Sequence, residues 1–527
     1  MSWGLNFLLQ LGLDTAARRG WIFVVEHVPE YPGTIPGWRI SSHPVDTSGF
    51  PGPSPFVFAP IQSAISISGT RAGPPTWSDS PSSATITLAL DRTSFASLLS
   101  IGIRGNMCKI KCGHAGLDYA FYEDIYAGTI TAIQGVPPTM VLTVQTLALG
   151  MRARFAGTGA ATVQPFYSLG ETAANTVVDA TSYTAGDTDI ELTDDIVEFN
   201  DNGNGVVIVT GDGGSEFKLK VTGPAVGTGP YLYPVDTSNP QLGNALDDAT
   251  SGNAVRRGAL LEGHPLSIWL KCATSTGTGG NGTYDVYEDA WGWELPVGCI
   301  EVGDIESIRD NWMAVGAGTY DVEFVVTEPV ADGTAFWRDF LTQYGAWMVD
   351  RQGRLTIRAG LYPDEPAFVT ATLDLQEVGT LRKWGQVLYW DPRMHTTYLA
   401  VTVADGWGTT SSSFIGASFQ RPVKGVKNLQ LEDVFSNSSA ITTEVVDRVG
   451  PWWSVRMTIM TVRVTMFTGA PLCAGDHVEV ITDEVPLNNG VYPNPAPAIV
   501  LQASPKWSGG EPSVELVLGF IPLTRLP

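Results

Sequence analysis

From Ala84 to Ile133 the sequence changes its hydrophobic period twice, and the order of those changes limits the folds open to it. ATITLALD places Ile86, Leu88 and Leu90 on one face and Thr85, Thr87 and Ala89 on the other, the two-residue period of a half-buried strand. FASLLSIGIRGN follows as a short apolar helix candidate, and Gly105 and Asn106 break the chain before MCKIKCG alternates again. A polar hairpin tip, GLDYAFYED, leads into IYAGTITAI, where Ile125, Ala127, Thr129, Thr131 and Ile133 alternate with Tyr126, Gly128, Ile130 and Ala132. A glycine inside a strand pattern marks a bulge or a close backbone approach, and Gly128 is expected to be one of these. Strand, helix, strand and hairpin in this order build a compact β-barrel with one helix, and nothing in the segment has the pattern of a catalytic centre.

The rest of the chain extends this β character. At 527 residues it is too long for one core and is expected to form roughly three or four domains. With 58 glycines, 35 prolines and only 16% charged residues, strands and turns are favoured over helices, so the fold class is mainly β with minor α. With 16 tryptophans the chain can bury large apolar areas, and aromatics in excess of core needs often serve subunit interfaces, which makes a large homo-oligomer the expectation. A net charge of −23 opposes contact with phosphate backbones or anionic lipid, so no direct nucleic-acid binding is expected. In a ring, an acidic lumen would repel DNA and let it slide.

Composition shifts divide the chain into 1–155, holding the opening segment behind Pro/Gly-rich loops; 156–240, a small inserted β domain; 241–375, a mixed α/β middle domain; and 376–527, strands again. The inserted unit follows the small-residue linker AGTGAATV and reads from Tyr183 to Thr222 as short strands between Gly/Asn/Asp turns. In the middle unit GALLEGHPLSIWLKCA reads as a helix burying Leu260, Leu261, Ile268, Trp269 and Leu270, divided at Pro265. DGTAFWRDFLTQYG spaces Phe336, Phe340, Leu341 and Tyr344 for a helix with Thr334 as N-cap and Gly345 as stop. AWMVDRQGRLTIRAG then forms a hairpin whose turn is Asp350, Arg351, Gln352 and Gly353. Near the C-terminus VRVTMFTGAPLCAGDHVEVI and APAIVLQASPKWSGGEPSVELVLGF read as strand, turn, strand and hairpin, with Gly475 and Asp476 preceding HVEVI, an echo of the first segment.

Two segments carry a resemblance to a known family. Ile86, Leu88, Leu90 and Asp91, then Phe95, Leu98 and Leu99, Gly105, and Ile125, Tyr126, Gly128 and Ile130 follow a rhythm similar to the amino-terminal barrel of bacteriophage tail hub (baseplate hub, tail-tip) proteins. Gly345, Trp347, Asp350, Gly353, Arg354, Leu355 and Arg358 resemble the helix–hairpin unit that such hubs often carry. The resemblance implies two hub-type β-barrels per subunit, in 1–155 and 376–527, and a homotrimer whose six barrels match a six-fold tail tube to a three-fold tip. It further implies a structural virion protein at the tail tip, made in the host cytoplasm and not an enzyme. The implied partners are a distal tail or tube-end protein, a tape measure protein, and tip or fibre proteins.

Chemistry-bearing motifs are few. GxxxxGK[ST], HExxH, GxSxG and CxxC are absent, and no cofactor is expected. Gly277, Gly279 and Gly282 match GxGxxG, but acidic, aromatic TYDVYEDAWGWELP follows where a dinucleotide site needs a helix. Tyr284, Tyr287, Trp291 and Trp293 form a candidate interaction surface. Beside them Asp285, Glu288 and Asp289 suggest the alternative of a carbohydrate-binding or carbohydrate-active β protein. The acids Asp187, Asp189, Glu191, Asp194, Asp195 and Asp201 lack the spacing of a calcium loop, and none of the six histidines pairs at ligand spacing, so no metal is expected. Five scattered cysteines argue against a disulfide framework, and Cys108 and Cys112, on one strand face, stand about 13 Å apart at 3.3 Å per residue, too far to bridge. No charged leader precedes the apolar start, and no run is long enough to span a bilayer.

Overall fold

The computed structural model describes residues 20–28, 38–43, 45, 56–57, 65–73, 81–100, 102–148, 175–176, 182–193, 205–227, 229–236, 246–274, 295, 297–312, 322–326, 333–360, 369–374, 383–388, 397–405, 411–415, 423–431, 434–435, 439–454, 458–481, 495–507 and 512–520. The fold is mainly β with several sheets and a minority of helix. Its first set of strands is β1 (Trp21–Val28), β2 (Trp38–Ser41), β3 (Phe56–Val57), β4 (Ile65–Ser68) and β5 (Ser83–Ala89), then helix α1 (Arg92–Ser100), β6 (Met107–His114), β7 (Glu123–Val136) and β8 (Thr139–Thr146). The alternation in β5 is borne out, because Ala84, Ile86 and Leu88 are fully buried and the residues between them are not. Gly128 is a close approach: a Cβ there would collide with the Gln145 carbonyl of β8. β7 bulges on either side of it, at Ile125 opposite β6 and between Ile130 and Ala132 opposite β8. Cys108 and Cys112 are free, buried thiols on β6.

Next come β9 (Asn175–Thr176), β10 (Asp189–Leu192), β11 (Gly205–Thr210), β12 (Glu216–Val221), β13 (Tyr231–Pro234) and β14 (Ala254–Gly263). A separate core of Tyr183, Leu192, Val207, Phe217, Tyr233 and Val255 fills this part. Its acids stabilise loops: Asp212 Oδ1 accepts from Thr250 N and Asn253 Nδ2, both at 2.8 Å, and Asp187 Oδ2 accepts from Thr184 N. β14 continues into helix α2 (Pro265–Thr274), followed by α3 (Val302–Trp312), β15 (Val322–Val326), α4 (Gly333–Gln343), β16 (Ala346–Arg351) and β17 (Arg354–Ala359).

Four expectations are corrected here. Leu260 and Leu261 belong to β14, where they pair with Val325 and Phe324 of β15, because a short apolar run fits a strand as well as a helix. Pro265 starts α2 rather than dividing a helix, its missing N–H falling where a helix needs none, and His264 caps it through Nδ1 to Leu266 N at 3.1 Å. Thr334 lies inside α4, and its hydroxyl donates to the Ala148 carbonyl at 3.0 Å, so it ties the helix to the end of the first strand set instead of capping. The hairpin is present, but its loop is Gln352–Gly353, with φ of 47° and 76°, while Asp350 and Arg351 are strand residues paired with Leu355 and Arg354.

The remaining elements are β18 (Val369–Asp374), β19 (Lys383–Leu388), β20 (Thr397–Asp405), β21 (Ser411–Ile415), β22 (Val423–Leu431), β23 (Val434–Phe435), α5 (Ser439–Ser454), β24 (Thr458–Thr465), the single turn α6 (Met466–Gly469), β25 (His477–Ile481), β26 (Ala496–Trp507) and β27 (Ser513–Phe520). β20, β21 and β22 form their own small sheet, which α5 covers. The terminal strand sets form one 14-stranded sheet, ordered β19-β24-β27-β26-β4-β5-β8-β7-β6-β1-β2-β3, with β25 also pairing β26 and β18 pairing β25. They also share one hydrophobic core, in which the rings of Phe23 and Trp507 lie 4.9 Å apart.

Within that sheet the chain repeats itself. β5-α1-β6-β7-β8 and β24-α6-β25-β26-β27 have the same order, and the pairings β5–β8, β7–β8 and β6–β7 recur as β24–β27, β26–β27 and β25–β26. The likeness reaches single hydrogen bonds. Gly105 N donates to the Ile130 carbonyl at 2.8 Å and Ile130 N to that of Asn106 at 2.9 Å; Gly475 N donates to Val500 at 2.7 Å and Val500 N to Asp476 at 2.9 Å. Gly105 and Gly475 have φ of 91° and 100°, a backbone that favours glycine. Both long strands bulge directly after that contact, between Ile130 and Ala132 and between Val500 and Gln502.

Candidate functional site

Side chains of opposite charge converge where the β16–β17 hairpin meets both repeats. Trp347, on β16, is fully buried, and Gly475 of the second repeat faces both it and Arg358 so closely that an added Cβ would lie 2.9 Å and 2.5 Å from them. Arg358 Nε donates to Asp476 Oδ1 at 3.0 Å and its Nη1 to Asp304 Oδ2 at 2.6 Å. Arg351 adds Nη1 to Asp304 Oδ2 at 3.2 Å and Nε to the Pro471 carbonyl at 3.3 Å. Asp304, in the first turn of α3, also accepts from Thr356 Oγ1 at 2.9 Å, and Asp476 from Cys473 N at 2.9 Å. One guanidinium therefore joins a helix, a hairpin and the second repeat.

Toward the first repeat the hairpin uses Asp350. Its Oδ1 accepts from Thr146 Oγ1 at 2.9 Å and its Oδ2 from Ser82 Oγ, both at the rim of the first repeat. Burial pushes its carboxyl up to about 6, against hydrogen bonds from Ser82, Thr146 and Thr70 that pull the other way. Asp476 goes in the opposite direction: burial would raise it, but the guanidiniums of Arg358 and Arg351 outweigh that and hold it below the usual carboxylate range. Asp304 is held low by the same two arginines, again against burial. Beside them burial pushes the His477 imidazole down to about 4 and the Cys473 thiol up to about 12, so neither carries charge at neutral pH.

The turn residue that precedes the second strand of each repeat has a different role in each. Asn106 Nδ2 lies 2.9 Å from His27 Nε2 of β1, while Asp476 binds Arg358. The same backbone device thus ties the first repeat to β1 and the second to the hairpin. Arg351 and Arg358 stand against Asp304 and Asp476, so the charges at this junction are paired, and although the buried Arg351 Nη2 has no hydrogen-bond partner among the described residues, the arrangement fastens parts together.

Of the residues singled out from the sequence, Trp347, Asp350, Gly353 and Arg358 lie at this junction, and Gly475 and Asp476 meet them there. Asp304, Ser82 and Thr146 were not singled out, because nothing in their local sequence distinguishes them from ordinary helix-start and strand-end residues. Tyr284, Tyr287, Trp291 and Trp293 lie outside the described residues, as do Asp285, Glu288, Asp289 and the glycines Gly277, Gly279 and Gly282. Among the described residues no three His, Cys, Asp or Glu side chains are grouped as a metal-ligand set, and no helix is long and apolar enough to cross a membrane.

No family model and no curated protein matches the chain by sequence. Among solved structures the fold is similar to a tail protein from Neisseria meningitidis MC58, at a TM-score of 0.39 and 10% identity, over 95% of this chain and 96% of that one. It is similar to the 43 kDa tail protein of prophage MuSo2 from Shewanella oneidensis, at 0.36 and 8%, over 95% and 98%. An E. coli component of the type VI secretion system, described as similar to bacteriophage T4 tail proteins, matches at 0.31 and 10%, over 89% and 76%.

Proposed function

We propose that the chain is a structural subunit of a phage-type tail, a hub at the tail tip that assembles as a trimeric ring around the channel and joins the six-fold tube end to a three-fold tip. The observation that carries this reading is the duplication: two strand repeats with the same pairing, bulge and turn hydrogen bonds stand side by side in one sheet. A subunit with two equivalent modules presents six of them when three copies close a ring, so one face can match six-fold symmetry while the chain as a whole obeys three-fold symmetry. The buried junction supports the same role, since Arg358, Asp304, Asp476 and Asp350 hold the modules in a fixed relation, as a wall element requires. The neighbours implied are a tube-end protein above, a tape measure protein within, and tip or fibre proteins below, with no catalytic step. Native mass spectrometry of the purified protein is expected to show trimers, and a stable monomer at micromolar concentration would sink the proposal.

A further inference from the structure

The two repeats differ at one place where their backbones are equivalent. In the second repeat the far half of β26 is covered on the side away from β27 by β4 and the residues after it. Lys506 pairs with Ser66 and Trp507 with Ile65, Ala72 N donates to the Leu501 carbonyl at 3.2 Å, and Gln502 Nε2 donates to the Gly69 carbonyl at 3.1 Å. The fit is so close that a Cβ on Gly69 would collide with the Ala503 carbonyl. As a result Leu501, Ala503, Ser504 and Trp507 are only 3%, 8%, 6% and 7% exposed.

The matching half of β7 is bare. Register with β8 makes Thr131, Ile133, Gln134 and Val136 the counterparts of Leu501, Ala503, Ser504 and Lys506, since Ile130–Val144 and Val136–Thr139 correspond to Val500–Leu518 and Lys506–Ser513. Among the described residues no strand pairs with this half of β7 on the side away from β8. Gln134, Gly135 and Val136 are exposed, Val136 by 74%. The Thr131 carbonyl, counterpart of the one that receives Ala72 N, takes Arg104 Nε at 2.9 Å instead. An open strand edge is a template for another strand.

The counterpart of β4 is β19. β4 pairs with β5 on its inner side, Ile65 to Ile86, and β19 pairs with β24 in the equivalent place, Trp384 to Val462. β4 is filled on its outer side by β26, whereas β19 ends the row of the sheet among the described residues. Open β7 and open β19 thus belong to opposite repeats of the chain, and a second copy can bring them together.

We propose that the free half of β7, Thr131–Val136, takes β19 of a neighbouring copy as β26 takes β4 within the chain, so that one strand-edge joint, used alternately within and between copies, builds the assembly. This rests on the ring reading and names its seam. Pro137, where Trp507 stands in the other repeat, has no N–H to give, so the seam is carried by Thr131–Val136. The contact is head-to-tail, the kind that closes a ring or runs on as a filament.

The test uses the full chain with Cys299→Ser, because the other four native cysteines are buried. Val136→Cys is combined with Gln386→Cys, in the β19 bulge between Trp384 and Val387, and the two are joined with a short bis-maleimide. Ser66→Cys with Lys506→Cys is the within-chain control. The expected result is covalent linkage between copies for the first pair, ending at a closed three-chain species, none for either single variant, and linkage within one chain for the control. A trimer by native mass in which the control links and Val136/Gln386 does not would overturn the seam and leave the ring. Linkage that runs on past three chains without closing would keep the seam and overturn the trimer. A monomer that does not cross-link would overturn both.

Discussion

Asp350 shows how much one side chain at the junction decides. Its carboxyl titrates near 6 in the folded chain against about 3.9 for an unperturbed aspartate, so between those values the folded state binds the extra proton. Stability from this group is therefore present at low pH and is lost as pH rises through about 6. Asp350→Asn keeps an acceptor for Ser82 and Thr146 without the charge. Its melting temperature, relative to the parent, is expected to climb between pH 4 and pH 7, by an amount corresponding to on the order of 2–3 kcal/mol. A difference independent of pH would show that the fold does not raise this carboxyl above its unfolded value. Asp304 and Asp476 work the other way: their support is present above the ordinary carboxylate range and fails as pH falls below it. The motif around Trp347 made Asp350 and Arg358 visible in the sequence, and the turn before HVEVI did the same for Asp476, but which side chains pair was not legible, since Ser82, Thr146, Asp304 and Asp476 lie far along the chain and meet the hairpin only through the fold.

At the scale of elements, period and turn chemistry carried the reading furthest where a segment pairs with its own neighbour. The β5 alternation, α1, the close approach at Gly128 and the hairpin after α4 all depend on local sequence, and the hairpin was misplaced by a single residue. β14 was misread because its apolar run has no visible period and its partner β15 lies far downstream. Thr334 was misread because its acceptor, the Ala148 carbonyl, belongs to another element. The hairpin loop offers a check. Gln352 holds φ at 47°, a conformation that asparagine and glycine adopt more readily. Gln352→Asn, which creates an Asn-Gly loop, is expected to stabilise the chain by a few tenths to about 1 kcal/mol in denaturant titration, with the native mass unchanged. A loss of stability would mean that the glutamine side chain has a role beyond the turn.

For the whole molecule, composition announced β structure, and the strand order after residue 458 hinted at duplication. The shared sheet was not legible, because β4 and β26 meet only after nearly the full chain has been laid between them. The seam proposed between copies uses backbone edges, while each copy carries a net charge of −23. Association is then opposed by long-range repulsion that salt screens, with a Debye length falling from about 30 Å at 0.01 M to about 8 Å at 0.15 M. Analytical ultracentrifugation is expected to show tighter assembly at the higher salt. Weaker assembly there would point to a seam held by charge pairs.

The pairing of β4 with the end of β26 also sets an order of events. Gly69 N and Ser504 Oγ are separated by 435 residues, so the outer edge of β4 stays open until β26 has left the ribosome. While it is open, that edge could accept the β26 end of another chain and exchange partners with it. A subunit whose own β26 is made closes the edge itself, and one that stops short of β26 cannot, so this pairing separates copies that carry β26 from copies that lack it.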